Sequence, residues 1–486
     1  MDYRSSSLAR FPLGVTDYPR PTPLPLPHPT GRQLRRRALQ TFRVTARHFR
    51  RLAARRLLHR PVSEHAFARP LRRTFEELGG TFVKFGQLIA SAPGIFGDPV
   101  SREFRSCLDT GPPVSLAEVR AAIEATLGRP LEDAFASFEE TPIGRASIAV
   151  VHRVRLHDGR LAAVKVLRPG IELSVATDLR LMEPLLDFLS RQVGVAAAGQ
   201  LVRALDGFRQ QVAEELDLRN EARAMTHYRE LLRRVDLPLV VVPEPYPELS
   251  GPRVLTMEFL DGVPIDDLPR IAELGIDPRP LIEQSVRGWF LTTIRWGVFH
   301  GDVHAGNLLL LRDGRIAAID WGIMGQLDPD THRFFRRVLQ AALGDQTAWD
   351  EVAARLVQVY GPAIRDGLGL DDSELAGFIR GVMEPMLTRP FGEASLATFL
   401  AAMQGQVAKA QGQAIHARSW RARLGRLREQ RRLHRDVAGA IGSEFDRGTF
   451  LLGKQLAYFE RYGKMFLSDV SLLADRKFFE ALLAET

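Results

Sequence analysis

Three features are scarce in this sequence, and each scarcity excludes a class of protein or site. The 486 residues contain one cysteine, Cys107, which excludes a disulfide framework and a cysteine-based zinc or iron–sulfur site. No run of about 18 uncharged apolar residues occurs, so a membrane-spanning helix is not expected. Lysine is rare, since six lysines accompany sixty arginines. Because arginine serves wherever a general positive charge suffices, each lysine marks a place where a compact ammonium could be required.

Acidic residues are scarce only at the N-terminus. Residues 1–60 hold fourteen arginines and two acids, whereas the whole chain has a formal net charge of +8. The remaining body is therefore mildly acidic, which argues against a general nucleic-acid binder because such a protein needs its own basic face. Apolar residues make up 45% of the chain, enough to bury the cores of two or three domains.

The N-terminal arm, residues 1–60, has two parts. Residues 18–30 hold six prolines and predict a stiff extended linker. Residues 31–60 mix apolar residues with eleven arginines and no acid, which is typical of a basic amphipathic helix on an anionic membrane surface. The alternatives are a solvated tail and an arm packed on an acidic patch of its own body. We expect a cytoplasmic protein, peripheral at the inner face of the membrane if the arm binds there.

The body changes its periodicity along the chain. Residues 61–112 are helical in pattern, and Ser115 with Glu118 forms a capping box for the next helix. Residues 141–168 predict a β-hairpin that turns at His157-Asp158-Gly159, and a second hairpin turns at Asp313-Gly314. After about residue 329 the pattern is helical to the end.

Five polar residues stand on these elements in an order that suits phosphoryl transfer. Lys165 ends a strand, Glu221 lies on a following helix and can pair with it, and Asp302 and Asn307 stand in a loop before Asp320. Phosphoryl transfer needs a cation on the phosphates, carboxylate and amide oxygens for Mg²⁺, and a carboxylate for the acceptor. The Asp-x4-Asn spacing and the Asp-aromatic-Gly motif match those of kinases.

These residues resemble the AarF/UbiB family of atypical kinases. The resemblance rests on KFGQ at residues 84–87, AVKV at 163–166, HGDVHAGN at 300–307 and IDWG at 319–322. It implies an α+β, atypical protein-kinase-like bilobal fold with an N-terminal helical KxGQ extension and a helical C-terminal region. The implied domains are an arm at 1–60, the extension at 61–135, an N-lobe at 136–262 and a C-lobe at 263–486.

The resemblance also implies roles for single residues. Lys165 would contact the α/β-phosphates of ATP and Glu221 would orient it, Asp302 would be the catalytic-loop carboxylate, and Asn307 and Asp320 would hold Mg²⁺. The remaining implied residues are Gly144, Arg145, Ala146 and Ser147 over the phosphates, Met257, Glu258 and Leu260 at the adenine, and Lys84 and Gln87 near Glu215 and Asp217 as regulatory residues.

The function that the resemblance implies is a Mg-dependent atypical kinase or ATPase, stimulated by lipid and linked to membrane prenyl-lipid metabolism of the ubiquinone type. ATP, a prenyl-lipid or quinone intermediate and an anionic membrane are the expected partners, and nucleic acid is not. Two alternatives are a slow ATP-dependent lipid chaperone or scaffold, and a small-molecule kinase.

Several departures and near-matches qualify this resemblance. The loop over the phosphates reads GRAS rather than AAAS, and too few residues separate Gly322 from the helix start at Asp328-Pro329 for a long activation segment. Residues 448–455 nearly spell a P-loop, but no strand precedes them and we expect a packed helix. Lys454 in that helix has no motif around it. His300 and His304 are expected to frame the loop rather than to bind zinc.

Overall fold

The computed structural model gives a description of most of the chain, with several gaps. The described residues are 18, 20–58, 66–91, 98–104, 107, 113–192, 207–235, 237–360, 373–374, 377, 380–381, 384, 387–393, 447–471 and 473–484. Much of the predicted helical C-terminal region, residues 394–446, and most of residues 1–19 therefore lie outside the described part.

The chain divides into two compact units. The N-terminal unit comprises Arg20–Thr226 and Pro243–Phe259, and the C-terminal unit comprises Met1–Pro19, His227–Val242 and Leu260–Thr486. This division differs from the predicted one, because the helical extension and the first sheet belong to one unit. Residues 227–242 group with the C-terminal unit, since the strand at Val240–Val241 pairs there with the strand at Ile316–Ala318.

In its described residues, the N-terminal unit contains seven named helices and the start of an eighth. They are α1 Gly31–Leu57, α2 Ala68–Leu78, α3 Gly80–Ser91, α4 Asp98–Phe104, α5 Leu116–Leu127, α6 Leu131–Ala134, α7 Ile171–Gln192 and α8 Leu218–Val235. Residues 207–215 are also helical. The predicted capping box begins α5: the Ser115 hydroxyl accepts from the Glu118 backbone, and the Glu118 side chain accepts from the Ser115 backbone.

A five-stranded antiparallel sheet forms the other half of the N-terminal unit. Its strands are β1 Ser137–Phe138, β2 Gly144–Arg145, β3 Ala149–Arg155, β4 Leu161–Leu167 and β6 Val254–Glu258, in the order β1-β3-β4-β6 with β2 also on β3. The predicted hairpin at His157–Gly159 is confirmed, and Gly159 takes a positive φ of 89° in its turn. The core beneath includes Val150, Val164 and Ile123.

Helix α1 packs along one face of the N-terminal unit, against α2 and α7. The Arg37 guanidinium pairs with Asp178 of α7 through two bonds, of 2.6 Å to Oδ1 and 3.0 Å to Oδ2, and Asp178 is fully buried. Arg47 and His48 both pair with Glu77 of α2. The arm is thus helical and docked over residues 31–57, while Leu39, Phe42 and Leu57 remain exposed on it.

The described residues of the C-terminal unit are mainly helical, with two small sheets. Its other helices are α9 Leu268–Leu274, α10 Arg279–Trp296, α11 Pro329–Ala342, α12 Gln346–Tyr360, α13 Arg447–Phe466 and α14 Arg476–Leu483. Its strands are β5 Val240–Val241, β7 Gly262–Pro264, β8 Val298–His300, β9 Leu308–Leu311, β10 Ile316–Ala318 and β11 Met324–Gln326. One sheet has the order β5-β10-β9-β7, and the other pairs β11 with β8.

An aromatic core centred on α10 holds the C-terminal unit together. The Trp289 ring lies 5.4 Å from that of Phe299 and 5.0 Å from that of Phe459 on α13, measured between centroids. Phe290 is fully buried and packs edge-on against Phe479 of α14. Rings of this size dominate burial, so α13 and α14 are integral to this unit. Within the described residues, none of the helices has the length and apolar character needed to cross a membrane.

Several predictions about single elements are confirmed. The second hairpin joins β9 to β10 through Asp313-Gly314. Asp328 is the N-cap of α11, with its side chain accepting from the backbone of Asp330 and Thr331. Residues 448–455 lie within α13, as a packed helix requires. The α+β fold class is confirmed as well.

Candidate active site

Lys165 lies in the central strand of the N-terminal sheet. Its register partners are Val151 on β3 and Leu255 on β6, so a neighbour flanks it on each side. Every residue of β4 after Leu161 is buried. A lysine at such a position needs a carboxylate partner, because a buried unpaired charge is strongly unfavourable.

Glu221, in the first turn of α8, supplies that partner. Its two carboxylate oxygens each lie 2.9 Å from Lys165 Nζ. The side chain of Lys165 is 10% exposed and that of Glu221 is 3% exposed. A carboxylate in the first turn also interacts favourably with the helix dipole. The structure therefore brings together the two residues that the sequence paired.

The GRAS segment begins as a strand and then turns. Gly144 and Arg145 form β2 opposite Val151 and Val150. The carbonyl of Ala146 accepts bonds of 3.0 Å and 2.9 Å from Nε and Nη2 of Arg168. Ser147 is buried and Arg145 is exposed. Arg168, which the sequence did not indicate, thus holds the turn through the Ala146 carbonyl.

The residues expected at the adenine lie at and just after the end of β6. Met257 is 6% exposed and stands opposite Ala163 of β4. The Glu258 backbone N–H donates to the Glu244 carbonyl at 2.8 Å. That N–H is therefore committed within the N-terminal unit. Leu260 is the first residue of this segment that belongs to the C-terminal unit, where it packs beside Val241 and Leu311.

Lys84 lies on α3 and pairs with Glu215, whose side chain is 8% exposed. Gln211, one turn before Glu215, donates to the same carboxylate at 3.1 Å. Asp217 pairs instead with Arg219, through bonds of 2.7 to 3.2 Å. The structure thus pairs Lys84 with Glu215 and Asp217 with Arg219, while Gln87 is half-buried on the same helix as Lys84.

The loop after β8 carries Asp302, framed by two histidines. Nδ1 of His300 accepts from the Asp302 backbone N–H at 3.0 Å, so its Nε2 carries the proton and donates to the Asp320 carbonyl at 2.7 Å. Burial lowers the pKa of His300 to about 4, so the ring is neutral. His304 caps the following turn, with Nδ1 accepting from Gly306 N–H. Both rings thus shape the loop.

Asn307 ends this loop with its side-chain amide held in place. Nδ2 donates to the Asp302 carbonyl at 3.0 Å, and the residue is 7% exposed. Because Nδ2 is used in this way, Oδ1 is the amide atom that can bind a cation. Carboxylate and amide oxygens are ligands that Mg²⁺ prefers, and it usually completes its shell with water and substrate phosphates. Asn307 therefore fits a magnesium site.

Asp320 follows β10, at the start of the Asp-Trp-Gly motif. Its Oδ1 accepts from Gly322 N–H at 3.1 Å, which fixes the carboxylate beside the turn. The Trp321 ring is 2% exposed and donates through Nε1 to the Ala318 carbonyl at 2.7 Å. Among the described residues, three or more His, Cys, Asp and Glu side chains nowhere cluster as a metal site would require. A magnesium site here would therefore rely on Asn307, Asp320 and substrate oxygens.

The segment after Gly322 is short, as predicted. It forms β11, which pairs with β8, and the N-cap of α11 follows at Asp328. Since nearly every residue here belongs to a strand or a cap, little chain remains for a conventional activation loop.

Sequence reasoning missed the partner of Asp302. Nζ of Lys454, on α13, lies 2.7 Å from Asp302 Oδ1. Burial raises the pKa of the Asp302 carboxyl, but the Lys454 cation and His304 lower it by more, so the pKa lies below its ordinary value. The scarcity of lysine was the one signal that could have drawn attention to Lys454, but no neighbouring motif supported it.

Comparison with known proteins places the chain in a family. A model of the ABC1 atypical kinase-like domain matches residues 106–353. An uncharacterized protein of Mycobacterium tuberculosis strain H37Rv is 34% identical over 409 residues, covering 83% of this chain and 76% of that protein. An uncharacterized chloroplastic aarF domain-containing protein kinase of Arabidopsis thaliana is 33% identical and covers 84% of this chain and 73% of that protein.

Two further matches are more distant or shorter. The probable protein kinase UbiB of Marinobacter nauticus is 32% identical over 357 residues, which cover 69% of this chain and 62% of that protein. A solved structure of the Mycobacterium tuberculosis protein Rv3197 with erythromycin matches at a TM-score of 0.44 and 23% identity, over 77% of this chain and 94% of that one. The domain model, together with the relatives from Mycobacterium tuberculosis and Arabidopsis thaliana, shows that the chain belongs to the AarF/UbiB family of ABC1 atypical kinases.

Proposed function

We propose that this chain binds ATP with Mg²⁺ and transfers or hydrolyses the γ-phosphoryl group, in a role linked to membrane prenyl-lipid metabolism of the ubiquinone type. The observation that carries the proposal is the closed ion pair between Lys165 and Glu221. A lysine fixed in this way on a central strand is the cation that kinases use on the α/β-phosphates.

The C-terminal unit supplies the residues for the chemistry. Asn307 and Asp320 would hold Mg²⁺, which neutralises charge on the phosphates when it is bound. Asp302 would accept the proton of the acceptor hydroxyl or water. A bond then forms between the acceptor oxygen and the γ-phosphorus, and the bond from that phosphorus to ADP breaks. The ionised state of Asp302, favoured by Lys454, suits a proton acceptor.

Nucleotide recognition would fall to the N-terminal sheet and the residues after it. Gly144 to Ser147 would cover the phosphates, with the turn anchored by Arg168. Met257 would border the base, and the segment from Glu258 to Leu260 would meet the adenine edge. The Glu258 N–H is already bonded to Glu244, which leaves backbone carbonyls and the Leu260 N–H for the base.

The extension with KFGQ would regulate the site. Lys84 is paired with Glu215. The family resemblance implies that this extension would partly fill the place of a peptide substrate. With little chain available for an activation loop, a small acceptor or water suits the site better than a protein.

An anionic membrane surface is the proposed partner of α1. Its solvent-facing side mixes the exposed Leu39, Phe42 and Leu57 with exposed arginines such as Arg35 and Arg43. Apolar side chains between cations are typical of helices that lie at a lipid surface. The link to prenyl lipids rests on the family resemblance and on relatives named UbiB.

The alternative is a slow ATP-dependent lipid chaperone or scaffold, in which nucleotide binding changes partner affinity. Mg-ATP turnover by the purified chain, with and without anionic liposomes and a quinone-like phenol, distinguishes the two. We expect turnover that Asp320→Asn abolishes and that Asp313→Asn, an exposed turn residue paired with Arg315, leaves unchanged. Tight nucleotide binding without turnover would support the chaperone instead.

Membrane binding has its own test. Replacing Arg35, Arg43 and Arg50 by Gln should weaken binding to anionic liposomes. Added salt should likewise weaken the liposome binding of the wild-type protein. A control with the same loss of charge replaces the exposed Arg312, Arg333 and Arg476 by Gln. Equal binding by the two triple variants would remove α1 from the proposal.

A further inference from the structure

The carboxylate of Asp302 is contacted by a helix from the far end of the chain. Nζ of Lys454 lies 2.7 Å from Oδ1, and the two side chains are 14% and 20% exposed. The Tyr458 hydroxyl, one turn later on α13, lies 3.5 Å from the same oxygen. Both groups are donors, because burial and the neighbouring Asp302 charge raise the pKa of Tyr458 above its ordinary value. Oδ1 is therefore enclosed by α13.

Within the described part of the chain, the other oxygen of Asp302 is less enclosed. Among the described residues, both of the donors that approach this carboxylate side chain lie beside Oδ1, and no hydrogen bond to Oδ2 is seen. The backbone on both sides of the carboxylate is also fixed, since the Asp302 N–H and carbonyl bind His300 and Asn307. With the backbone and one oxygen held, the direction of Oδ2 is set.

One face of helix α13 packs against this loop. Leu451, Lys454, Tyr458 and Tyr462 recur every three or four residues, so they share one side of the helix. The Tyr462 hydroxyl donates to the Val303 carbonyl at 2.6 Å. A side-chain carbon added at Gly301 would lie 3.2 Å from Leu451 Cδ1, which shows how closely the helix approaches. The placement of Lys454 is thus set by core packing.

The choice of lysine at this position has a physical reason. An arginine fork tends to bind both oxygens of a carboxylate, as Arg37 binds Asp178 in this chain. A lysine ammonium is a compact charge that can bind one oxygen and leave the other for a substrate. Lysine is rare in this chain, with six lysines beside sixty arginines, and a lysine at this position suits a carboxylate that is engaged through one oxygen.

We propose that Lys454 is a positioning residue for the phosphoryl-transfer site: its ammonium holds Oδ1 of Asp302, so that Oδ2 faces the acceptor hydroxyl or water. Tyr458 assists from the same helix. This inference rests on the proposed function, because it assigns Asp302 the task of orienting the acceptor.

Initial rates of Mg-ATP turnover by the full chain test the inference. Lys454→Met should lower kcat about 10- to 100-fold, because a misplaced catalytic group loses its geometry. KM for ATP should stay within about twofold, because Lys454 is assigned to the acceptor side. Lys464→Met is the matched control, since Lys464 lies on the same helix and pairs with Glu460 at 2.6 Å. The control should have the kcat and KM of the wild type.

Two further variants separate position from charge. Lys454→Arg keeps the charge but should cover both oxygens, so its thermal midpoint stays near that of the wild type while kcat still falls about tenfold. In an Asp302→Asn background, Lys454→Met should cause no further loss of kcat, because the two act as one unit. An unchanged or raised kcat in Lys454→Met, or full activity in Lys454→Arg, overturns the proposal.

Amide hydrogen exchange over residues 301–307 gives a readout that does not need turnover. Lys454→Met should speed exchange in this loop, whereas Lys464→Met should not. If the wild type shows no turnover, the proposed function fails and exchange alone decides whether Lys454 positions the loop. Equal loop protection in the two variants overturns the inference even where the wild type is active.

Discussion

Two lysine–carboxylate pairs, one in each unit, differ in how they are closed. Lys165 contacts both oxygens of Glu221 at 2.9 Å, and the Glu221 side chain is 3% exposed. Lys454 contacts one oxygen of Asp302, whose side chain is 20% exposed. The first pair uses both carboxylate oxygens to hold a cation in place. In the described part of the chain, the donors of the second pair approach one oxygen, so the other oxygen would serve the reaction that we propose.

The largest effect is expected from opening the closed pair. Lys165→Met should remove the cation that compensates the buried Glu221 carboxylate and lower the free energy of unfolding by about 3–5 kcal/mol. Turnover should fall at least about 100-fold, because the phosphates lose their cation. Urea unfolding and initial rates measure the two effects. The double variant Lys165→Met/Glu221→Leu should regain much of the stability but none of the activity. A double variant as unstable as the single one would contradict our view of the pair as closed.

A smaller structural effect and a large chemical one are expected at the open pair. Asp302→Asn should lower kcat about 100- to 1,000-fold, since an amide cannot accept the acceptor proton. The free energy of unfolding should fall by only about 1 kcal/mol, because the amide oxygen of the new Asn can still accept a hydrogen bond from Lys454. Asp330→Asn, at an exposed acid paired with Arg333, is the control. A stability loss as large as that of Lys165→Met would erase the distinction between the pairs.

A third pair extends the comparison to the KFGQ helix. Lys84→Met removes the ammonium from Glu215, which keeps the hydrogen bond from Gln211. Because that bond partly compensates the carboxylate, the expected loss is about 1–3 kcal/mol, below that of Lys165→Met. Chemical unfolding of Lys84→Met beside Lys464→Met measures it. Identical unfolding curves would mean that the Lys84 pair contributes no more than a surface pair.

The smallest effect is expected from a buried histidine, because the fold is most stable while that side chain is neutral. Burial lowers the pKa of His332 below its ordinary value, and its Nε2 lies 2.6 Å from the Ile294 carbonyl. The unfolded chain takes up this proton near a pH of about 6.5, so stability is full above that pH and falls as the pH drops toward the folded pKa. His332→Gln should cost about 1 kcal/mol at neutral pH and reduce the slope of stability between pH 6.5 and 5. Thermal midpoints across that range show it, and an unchanged slope would exclude His332 as a source.

Local patterns were enough to predict the elements of the site. The turns at Asp158-Gly159 and Asp313-Gly314, the cap at Asp328 and the helix over 448–455 all depend on neighbours in sequence, and all are present. The pairing of Lys165 with Glu221 also followed from the strand and helix that carry them. Asp217 shows where such prediction from local patterns fails. It was expected near Lys84 but forms its ion pair with Arg219, two residues away.

The sequence by itself determined the elements, the family and the order of the chemical residues, because these depend on spacing along one strand, helix or loop. Only the tertiary structure decided which lysine meets Asp302. Lys454 and Asp302 lie in separate elements with no common motif. They meet because Leu451, Phe459 and Tyr462 pack α13 against the loop at residues 301–307 and the aromatic core. Packing of apolar surface carries no signature in local spacing, so the charge that it delivers could not be read from the sequence.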